Sequence, residues 1–286
     1  MTQIKVLVTG GNGQLGQALK KSSEAYPEID FSFYGSAEAD VTDIDSLKTQ
    51  FDAVKPEFCI NAAAYTAVDK AESEPEKAGL INVQGAANLA EVCNSFGTTL
   101  LHVSTDFVFD GTGTQPYVET DTTNPVSVYG TTKLGGEEAI IAVADKYFII
   151  RTSWVYSEFA NNFYKTMLRV GIPGATVKVV SDQVGSPTNA NDLAGALISI
   201  IKSGSTAYGI YHYSGEGQCS WYDFAKEIFA VNKINVDLHA IPTASYPTPA
   251  QRPAYSVMDK SKIKNEFGIA TPHWKERLKS VIAHEN

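Results

Sequence analysis

The chain has 286 residues, an ordinary apolar fraction of 43% and a formal net charge of −9 at pH 7. This acidic balance argues against non-specific nucleic-acid binding, which needs an excess of lysine and arginine. No run approaches the roughly 20 apolar residues that cross a bilayer, and the N-terminal Met-Thr-Gln-Ile-Lys-Val-Leu-Val is too alternating for a signal peptide. We therefore expect a cytoplasmic protein with no membrane or nucleic-acid partner.

Cysteine and histidine do not point to a metal. The three cysteines, Cys59, Cys93 and Cys219, lie far apart, and the five histidines are scattered. These spacings fit neither a zinc site nor a disulfide framework. The cysteines are typical of small core residues in a reducing compartment, and the sequence predicts no metal site.

Strand-like and helix-like patterns alternate through the first half of the chain, and a repeated β-α-β order is typical of a parallel sheet covered by helices on both faces. The pattern predicts helices over 43–54, 75–96 and 127–145. It predicts strands at Ile4–Val8, Phe31–Tyr34, Phe58–Ile60, Leu100–Val103 and Tyr147–Ile150. The expected fold class is α/β, a Rossmann-like doubly wound parallel sheet.

The alternation loosens after Arg151. We expect helices over 161–170 and 191–201, a strand over 177–180 and a proline-rich loop over 241–253. The predicted division is a dinucleotide-binding domain, 1–155, and a smaller substrate-binding part, 156–286. We expect the second part to thread back into the first.

A glycine-rich loop follows the first predicted strand. Gly10, Gly13 and Gly16 form G-x-x-G-x-x-G, and Gly11, Gly13 and Gly16 also form G-x-G-x-x-G. Glycines at this spacing allow a tight turn, close approach to a pyrophosphate and close helix–strand packing. The alternative is a plain strand-to-helix turn, but the preceding strand and the following helical pattern favour cofactor binding.

The sequence is less informative about the cofactor's ribose. A carboxylate at the end of the second strand would bind a ribose 2′-OH, and an arginine would bind a 2′-phosphate. Neither follows Phe33-Tyr34, where Gly35 and Ser36 leave room for a phosphate, so the sequence weakly favours NADPH over NADH. We expect Asp40 and Val41 to lie over the adenine. Ala62–Ala64 allows close cofactor approach, or simply tight packing.

Two Tyr-x-x-x-Lys pairs occur, Tyr129/Lys133 and Tyr222/Lys226. About one such pair is expected by chance in a chain with this many tyrosines and lysines, so the motif alone decides nothing. Tyr222 lies in an amphipathic helix pattern, which favours packing. Tyr129 instead opens a helix after a polar loop and follows Ser104-Thr105 at a strand end, where open α/β sheets gather catalytic groups.

This placement predicts carbonyl reduction. An ammonium one helical turn from Tyr129 is expected to lower the phenol's pKa from its usual value near 10. Lys133 can also bind the nicotinamide ribose. Thr105 is expected to hold the substrate carbonyl oxygen, to which Tyr129 gives its proton. The alternative for Thr105 is a hydroxyl that satisfies local backbone groups.

The chain resembles the extended short-chain dehydrogenase/reductases, and within them the family of reductases that complete dTDP-L-rhamnose synthesis. The resemblance rests on the glycine loop and on several longer blocks. These blocks are Asn61-Ala-Ala-Ala-Tyr-Thr-Ala-Val-Asp-Lys-Ala-Glu72, Val103-Ser-Thr-Asp-Phe-Val-Phe-Asp-Gly111, Asn124-Pro-Val-Ser-Val-Tyr-Gly-Thr-Thr-Lys-Leu-Gly-Gly-Glu137, Arg151-Thr-Ser-Trp-Val-Tyr156 and Asp182-Gln-Val-Gly-Ser-Pro-Thr188.

The resemblance implies reduction of the 4-keto group of a dTDP-4-keto-6-deoxy sugar to dTDP-L-rhamnose. By position, Tyr129 matches the proton donor, Lys133 its partner and Thr105 the carbonyl-side hydroxyl. Thr105, Asp106 and Trp154 match sugar contacts. The implied cofactor contacts are Asn12, Gly13, Gln14, Leu15, Ala63, Ala64, Tyr65, Tyr129 and Lys133.

Two further expectations concern magnesium and phosphate. Some members of the family dimerise through magnesium held by interface carboxylates, but Asn191-Asp192 matches that cluster poorly. We therefore predict no structural magnesium and leave the oligomeric state open, with a homodimer as one option. Arg252, one of four arginines, is expected to bind the substrate's phosphates, because a guanidinium can bind them bidentately. The alternative is a solvated loop charge.

Two other functions remain compatible with these residues. One is a related sugar-nucleotide enzyme, either an epimerase or a reductase of another 4-keto sugar. The other is a non-catalytic regulatory subunit built on the same fold. Intact Thr105, Tyr129 and Lys133 favour an enzyme.

Overall fold

The computed structural model describes residues 3–282 and shows a regular β-α alternation up to Thr152. The strands of this part are β1 (Ile4–Thr9), β2 (Ile29–Phe33), β3 (Phe58–Asn61), β4 (Thr99–Thr105) and β5 (Tyr147–Thr152). The helices are α1 (Gln14–Ser23), α2 (Ile44–Val54), α3 (Val68–Ala71), α4 (Pro75–Gly79), a π-helical turn (Leu80–Gln84), α5 (Gly85–Phe96), a 3-10 turn (Asp106–Val108) and α6 (Val128–Val143).

Seven more strands follow Thr152 in the described part of the chain, and four of them have only two residues each. The strands are β6 (Val155–Tyr156), β7 (Thr176–Val180), β8 (Val184–Gly185), β9 (Thr188–Asn189), β10 (Gly209–His212), β11 (Cys219–Ser220) and β12 (Asp237–Ile241). The helices are α7 (Phe163–Val170), α8 (Ala190–Ser203), α9 (Trp221–Val231), a 3-10 turn (Thr243–Ser245), α10 (Ser261–Phe267) and α11 (Trp274–Ile282).

Six parallel strands form the central sheet in the order β10-β5-β4-β3-β1-β2. Helices α1 and α8 pack together on one face, and α2, α5 and α6 pack on the other. The centre of strand β1 is apolar because both of its faces are buried there: Val6 and Val8 join one core cluster, and Leu7 joins the other. The predicted doubly wound α/β fold is confirmed.

The later strands and helices form a smaller body. Strands β7 and β12 pair in parallel, and α7, α9 and α11 share a core with them. Strand β10 and helix α8, by contrast, lie with the central sheet.

The helix predicted over 75–96 contains a local irregularity. The π-helical turn Leu80–Gln84 separates α4 from α5. Within it, the Asn82 amide exchanges hydrogen bonds with the Tyr65 backbone and donates to Thr132 Oγ1 at 3.1 Å. An extra residue in a helical turn redirects a side chain, and here it ties the helix to α6 and to the loop after β3.

Candidate active site

A cleft of about 640 Å³ opens at the C-terminal ends of the central strands. Strand order reverses between β1 and β3, which is where open α/β sheets bind their ligands. The predicted site residues that line the cleft are Gly13, Gln14, Leu15, Ala64, Thr105, Asp106, Tyr129, Lys133, Trp154 and Arg252. Residues far apart in the sequence thus meet in one place.

The glycine loop is closely packed. Gly10 has φ +68°, and a Cβ there would lie 2.5 Å from Ala63 N. A Cβ on Gly16 would lie 2.4 Å from Gly10 O, so α1 packs directly on the loop. Gly13 caps α1 with no side-chain hydrogen bond, which leaves the first N–H groups of the helix available to an anion.

Other predicted cofactor residues lie outside the lining of this cleft. Asn12 is exposed, and its carbonyl accepts from Gln17 Nε2 at 2.9 Å. The Asp40 carboxylate accepts from the Thr42 backbone and hydroxyl, so it serves a local turn. Val41 is buried beside Gly85, and the Tyr65 hydroxyl donates to Glu74. The backbone N–H of Gly11 donates to the Tyr34 carbonyl, and the backbone N–H of Ala63 donates to Asn61 Oδ1.

A carboxylate does lie at the end of β2, although sequence reasoning missed it. Glu38 Oε2 accepts from Gly35 N at 2.9 Å. The Asn12 and Glu38 side chains both approach Gly35. A Cβ on Gly35 would lie 2.4 Å from Asn12 Nδ2 and 3.1 Å from Glu38 Oε2. The signal was a glutamate three residues after the glycine, close enough to turn back to the strand end.

Tyr129 is held at the start of α6. The Ser127 hydroxyl accepts from Gly130 N at 3.1 Å and caps the helix. Gly130 allows a very close approach, because a Cβ there would lie 2.3 Å from Phe107 O. The Tyr129 ring meets Phe107 edge-on at 5.6 Å between centroids. The tyrosine is therefore fixed against the turn that follows β4.

Burial, together with the charge of Asp106, raises the pKa of Tyr129 to about 12, and the neighbouring Thr105 hydroxyl opposes the rise. The expected lowering of this pKa by Lys133 is wrong for the structure described. Lys133 Nζ instead donates to Val103 O at 2.7 Å and contacts His102 Nε2 at 3.1 Å. Burial lowers the pKa of Lys133 to about 8, against the charge of Glu137.

Thr105 and Asp106 line the cleft at the end of β4. Thr105 Oγ1 donates to Asp106 Oδ1 at 3.0 Å and accepts from Phe107 N at 3.2 Å. Burial raises the pKa of the Asp106 carboxyl to about 6, although the hydroxyls of Ser256 and Thr105 oppose it. The Thr105 hydroxyl thus satisfies local groups, as its alternative interpretation predicts, and also lines the cleft beside Tyr129.

An aromatic wall bounds the cleft. Trp154 has φ +49° and stacks on Trp221 with centroids 3.5 Å apart and planes 7° apart. Phe163 packs against Trp221 at 4.6 Å. Gly185 makes room for this arrangement, because a Cβ there would lie 2.6 Å from Trp154 Cε2. The sequence pattern placed Trp221 on an apolar helix face and gave no sign that it reaches the cleft.

Arg252 lines the cleft with its guanidinium already paired. Nη1 donates to Asp69 Oδ1 at 3.0 Å and to Thr248 Oγ1 at 2.6 Å, and Nη2 donates to Asp69 Oδ2 at 2.8 Å. Arg252 is therefore oriented, not a solvated loop charge. Asp69 lies within the Asn61–Glu72 block, but the sequence did not indicate its partner.

The second Tyr-x-x-x-Lys pair, Tyr222/Lys226, lies outside the cleft lining. Tyr222 packs on the core of the smaller body, and neither Tyr222 nor Lys226 lines the cleft. Among residues 3–282 we find no group of three or more histidine, cysteine, aspartate or glutamate side chains able to hold a metal. Within the same range, each helix is too short or too polar to cross a membrane.

Residues 4–286 match the RmlD substrate binding domain family. The chain belongs to this family. The dTDP-4-dehydrorhamnose reductase of Aggregatibacter actinomycetemcomitans is 44% identical, over 98% of this chain and 99% of that protein. Two solved structures that share the RmlD fold are equally close in shape. The enzyme from Clostridium acetobutylicum has a TM-score of 0.94 at 41% identity, covering 98% of this chain and 99% of that one. The enzyme from Bacillus anthracis, solved in complex with NADP, has a TM-score of 0.94 at 36% identity, covering 99% and 100%.

Proposed function

We propose that this chain is a dTDP-4-dehydrorhamnose reductase. It would reduce the 4-keto group of dTDP-4-dehydro-6-deoxy-L-mannose to give dTDP-L-rhamnose, a precursor of cell-surface polysaccharide. One observation carries the proposal: Tyr129, Lys133 and Thr105 line the same cleft as Gly13 at the N-terminus of α1. Relatives of nearly equal length carry the same name.

The cofactor proposed is NADPH or NADH, which supplies a hydride when bound. Its pyrophosphate would lie against the N-terminus of α1, where the backbone is accessible. Lys133 would hold the nicotinamide ribose. The residues proposed to form the remaining contacts are Gly10, Gly11, Asn12, Gly13, Gln14, Leu15, Gly16, Asp40, Val41, Ala63, Ala64, Tyr65 and Tyr129.

Tyr129 is well suited to donate a proton. With a pKa of about 12 it stays protonated at neutral pH, and it gives its proton once negative charge develops on the carbonyl oxygen. Thr105 lies beside it and would position that oxygen. The Lys133 ammonium, with a pKa of about 8, is a much stronger acid than the Tyr129 phenol. Its acidity would favour proton return to the phenolate that Tyr129 leaves behind, and we propose that Lys133 supplies this proton when the cofactor is bound.

The rest of the cleft suits a sugar nucleotide. Asp106 and Trp154 line it next to Thr105 and would contact the sugar. Arg252 enters from the proline-rich loop with an oriented guanidinium, which suits a diphosphate. In a chain with net charge −9, such a local cation offsets the repulsion of an anionic substrate.

The organisation of the chain follows from this assignment. We infer a dinucleotide-binding domain over 1–155 and a substrate-binding part over 156–286, from which β10 returns to the central sheet. The three free, buried cysteines suit a reducing compartment, and we place the reaction in the cytoplasm. A homodimer is our working assembly, to be tested by light scattering.

The test is oxidation of NADPH and of NADH by the purified protein, with the 4-keto sugar nucleotide generated in situ. Formation of dTDP-L-rhamnose supports the proposal, and the ratio of kcat/KM for the two cofactors gives the preference. No turnover with cofactor binding intact would contradict it. Turnover of a different keto sugar would then indicate a related reductase or epimerase, and a change in a partner enzyme's activity would indicate a regulatory subunit.

A further inference from the structure

His102 lies in a buried chain of hydrogen bonds beneath the cleft. Its Nδ1 is 2.9 Å from Asn61 Nδ2, and its Nε2 is 3.1 Å from Lys133 Nζ. The side chain is only 1% exposed, and these two contacts use both ring nitrogens. The reaction proposed above assigns no role to His102.

The orientation of the Asn61 amide is fixed by a donor that cannot rotate. Ala63 N donates to Asn61 Oδ1 at 3.1 Å, and Thr9 Oγ1 donates to the same oxygen at 2.9 Å. Exchanging the amide oxygen and nitrogen would set two N–H donors against each other at Ala63. The NH₂ group of Asn61 therefore faces His102.

This orientation determines the tautomer of His102. The Asn61 NH₂ group can only donate, so Nδ1 must accept and carries no proton. Burial, with the nearby charge of Lys133, lowers the pKa of His102 well below its usual value, so the ring is neutral. A neutral imidazole then carries its single proton on Nε2, which faces Lys133.

The charge state of Lys133 is coupled to that proton. An ammonium has three donors and no acceptor, so it would oppose the Nε2–H group, whereas an amine offers a lone pair to it. Either form can donate to Val103 O. Building on the function proposed above, we propose that His102 is a positioning residue: held as the Nε2–H tautomer by Asn61, it donates to Lys133 Nζ and favours the amine over the ammonium.

The other charged groups around Lys133 do not replace this effect. Glu137 on α6 favours the ammonium but is paired with Arg151 of β5 at 2.7 Å. Tyr129 on the same helix stays protonated at neutral pH, and Asp106 lies in the turn after β4. His102 therefore acts in the same direction as burial, and Lys133 changes charge close to neutral pH.

The first test reads the tautomer directly, without turnover. In protein labelled with ¹⁵N-histidine at pH 9, the His102 signals are identified by their loss in His102→Gln. We expect a pyridine-type shift for Nδ1 and a pyrrole-type shift for Nε2. The reverse pattern in the unmodified protein would overturn the inference. In Asn61→Asp the carboxylate accepts from Nδ1–H, so the two shifts are expected to exchange.

The second test is the pH dependence of kcat. If the Lys133 ammonium returns the proton to Tyr129, kcat falls as pH rises through about 8. In His102→Gln the new amide oxygen can accept from the ammonium, and in Asn61→Asp the exchanged tautomer frees Nε2 to do so. Both variants should move the fall upward by about one pH unit, the size expected for one hydrogen bond to a charged group.

The two variants separate the explanations. If the pH at which kcat falls moves in Asn61→Asp but not in His102→Gln, the added charge is the cause. That result would refute the role of His102. Absence of turnover in the unmodified protein would contradict the proposed function instead. The ¹⁵N shifts would still decide the tautomer in that case.

Discussion

The Asp69 carboxylate holds the Arg252 guanidinium, with Oδ1 3.0 Å from Nη1 and Oδ2 2.8 Å from Nη2. This hydrogen bond is the largest cause that holds the pKa of Asp69 below its usual value. The bond orients the arginine and uses only part of its donor set, since a guanidinium has five N–H groups. Arg252 can therefore contact Asp69 and a diphosphate together.

Arg252→Lys should raise the KM for the sugar nucleotide about tenfold and leave kcat nearly unchanged. A lysine keeps the charge but cannot reproduce the planar pair of donors, and a factor of ten corresponds to about 1.4 kcal/mol. Steady-state kinetics with varied substrate checks this. Arg169→Lys, at an exposed position, is the matched control. An unchanged KM in Arg252→Lys would remove Arg252 from substrate binding.

Tyr129→Phe should bind NADPH normally and lose activity by a factor of about 10² to 10⁴, the usual contribution of a positioned general acid. The change removes one hydroxyl and leaves the ring against Phe107. Fluorescence titration measures binding, and cofactor oxidation measures turnover. Tyr222→Phe is the control and should be nearly silent. A similar loss of activity in both variants would mean that the choice of Tyr129/Lys133 over Tyr222/Lys226 is wrong.

Asp106→Asn should stabilise the fold at neutral pH while reducing activity. The Asp106 carboxyl has a folded-state pKa of about 6, above the usual value of 3.8. Asp106 therefore makes its full favourable contribution to the free energy of unfolding below pH 3.8. This contribution is lost as the pH rises through 6. At pH 7.5 the variant should gain about 2–3 kcal/mol in the free energy of unfolding.

Urea denaturation at pH 7.5 and at pH 4 checks this prediction. The gain should become small at pH 4, where the buried carboxyl is protonated and the folded state no longer holds its charge. Asp145→Asn, at an exposed position, is the matched control. A gain that is the same at both pH values would mean that burial of charge is not its cause.

Gly16→Ala should weaken NADPH binding at least about tenfold, a loss of about 1.4 kcal/mol. The new Cβ would lie 2.4 Å from Gly10 O and 2.6 Å from Gly11 C, so the loop must move away from α1. Gly79→Ala is a matched control in a helix, because no atom outside the neighbouring helix backbone lies within 4 Å of its Cβ position. That change should stabilise the fold by about 0.5–1 kcal/mol and leave binding intact.

The sequence predicted the regular part of the fold well. Each apolar run predicted in the first half became part of a strand of the central sheet, because a strand covered on both faces is mostly apolar. The π-helical turn could not be predicted. It depends on Asn82 bonding to Tyr65 and to Thr132, which lies 50 residues away.

The site was predicted in part. Local motifs located Tyr129, Lys133 and Thr105, and the structure brings them to one cleft. Local spacing could not show where the Lys133 side chain points, so the sign of its effect on Tyr129 was wrong. Glu38, Asp69 and Trp221 were missed because each acquires its place only through tertiary contact.

The position of β10 beside β5 has a consequence for synthesis on the ribosome. Residues 209–212 cover the edge of β5, so that edge stays unpaired until more than 200 residues have been made. An open strand edge invites pairing with other chains, and such distant contacts form slowly. Nascent chains stalled before Gly209 should therefore depend on chaperones far more than chains released after His212.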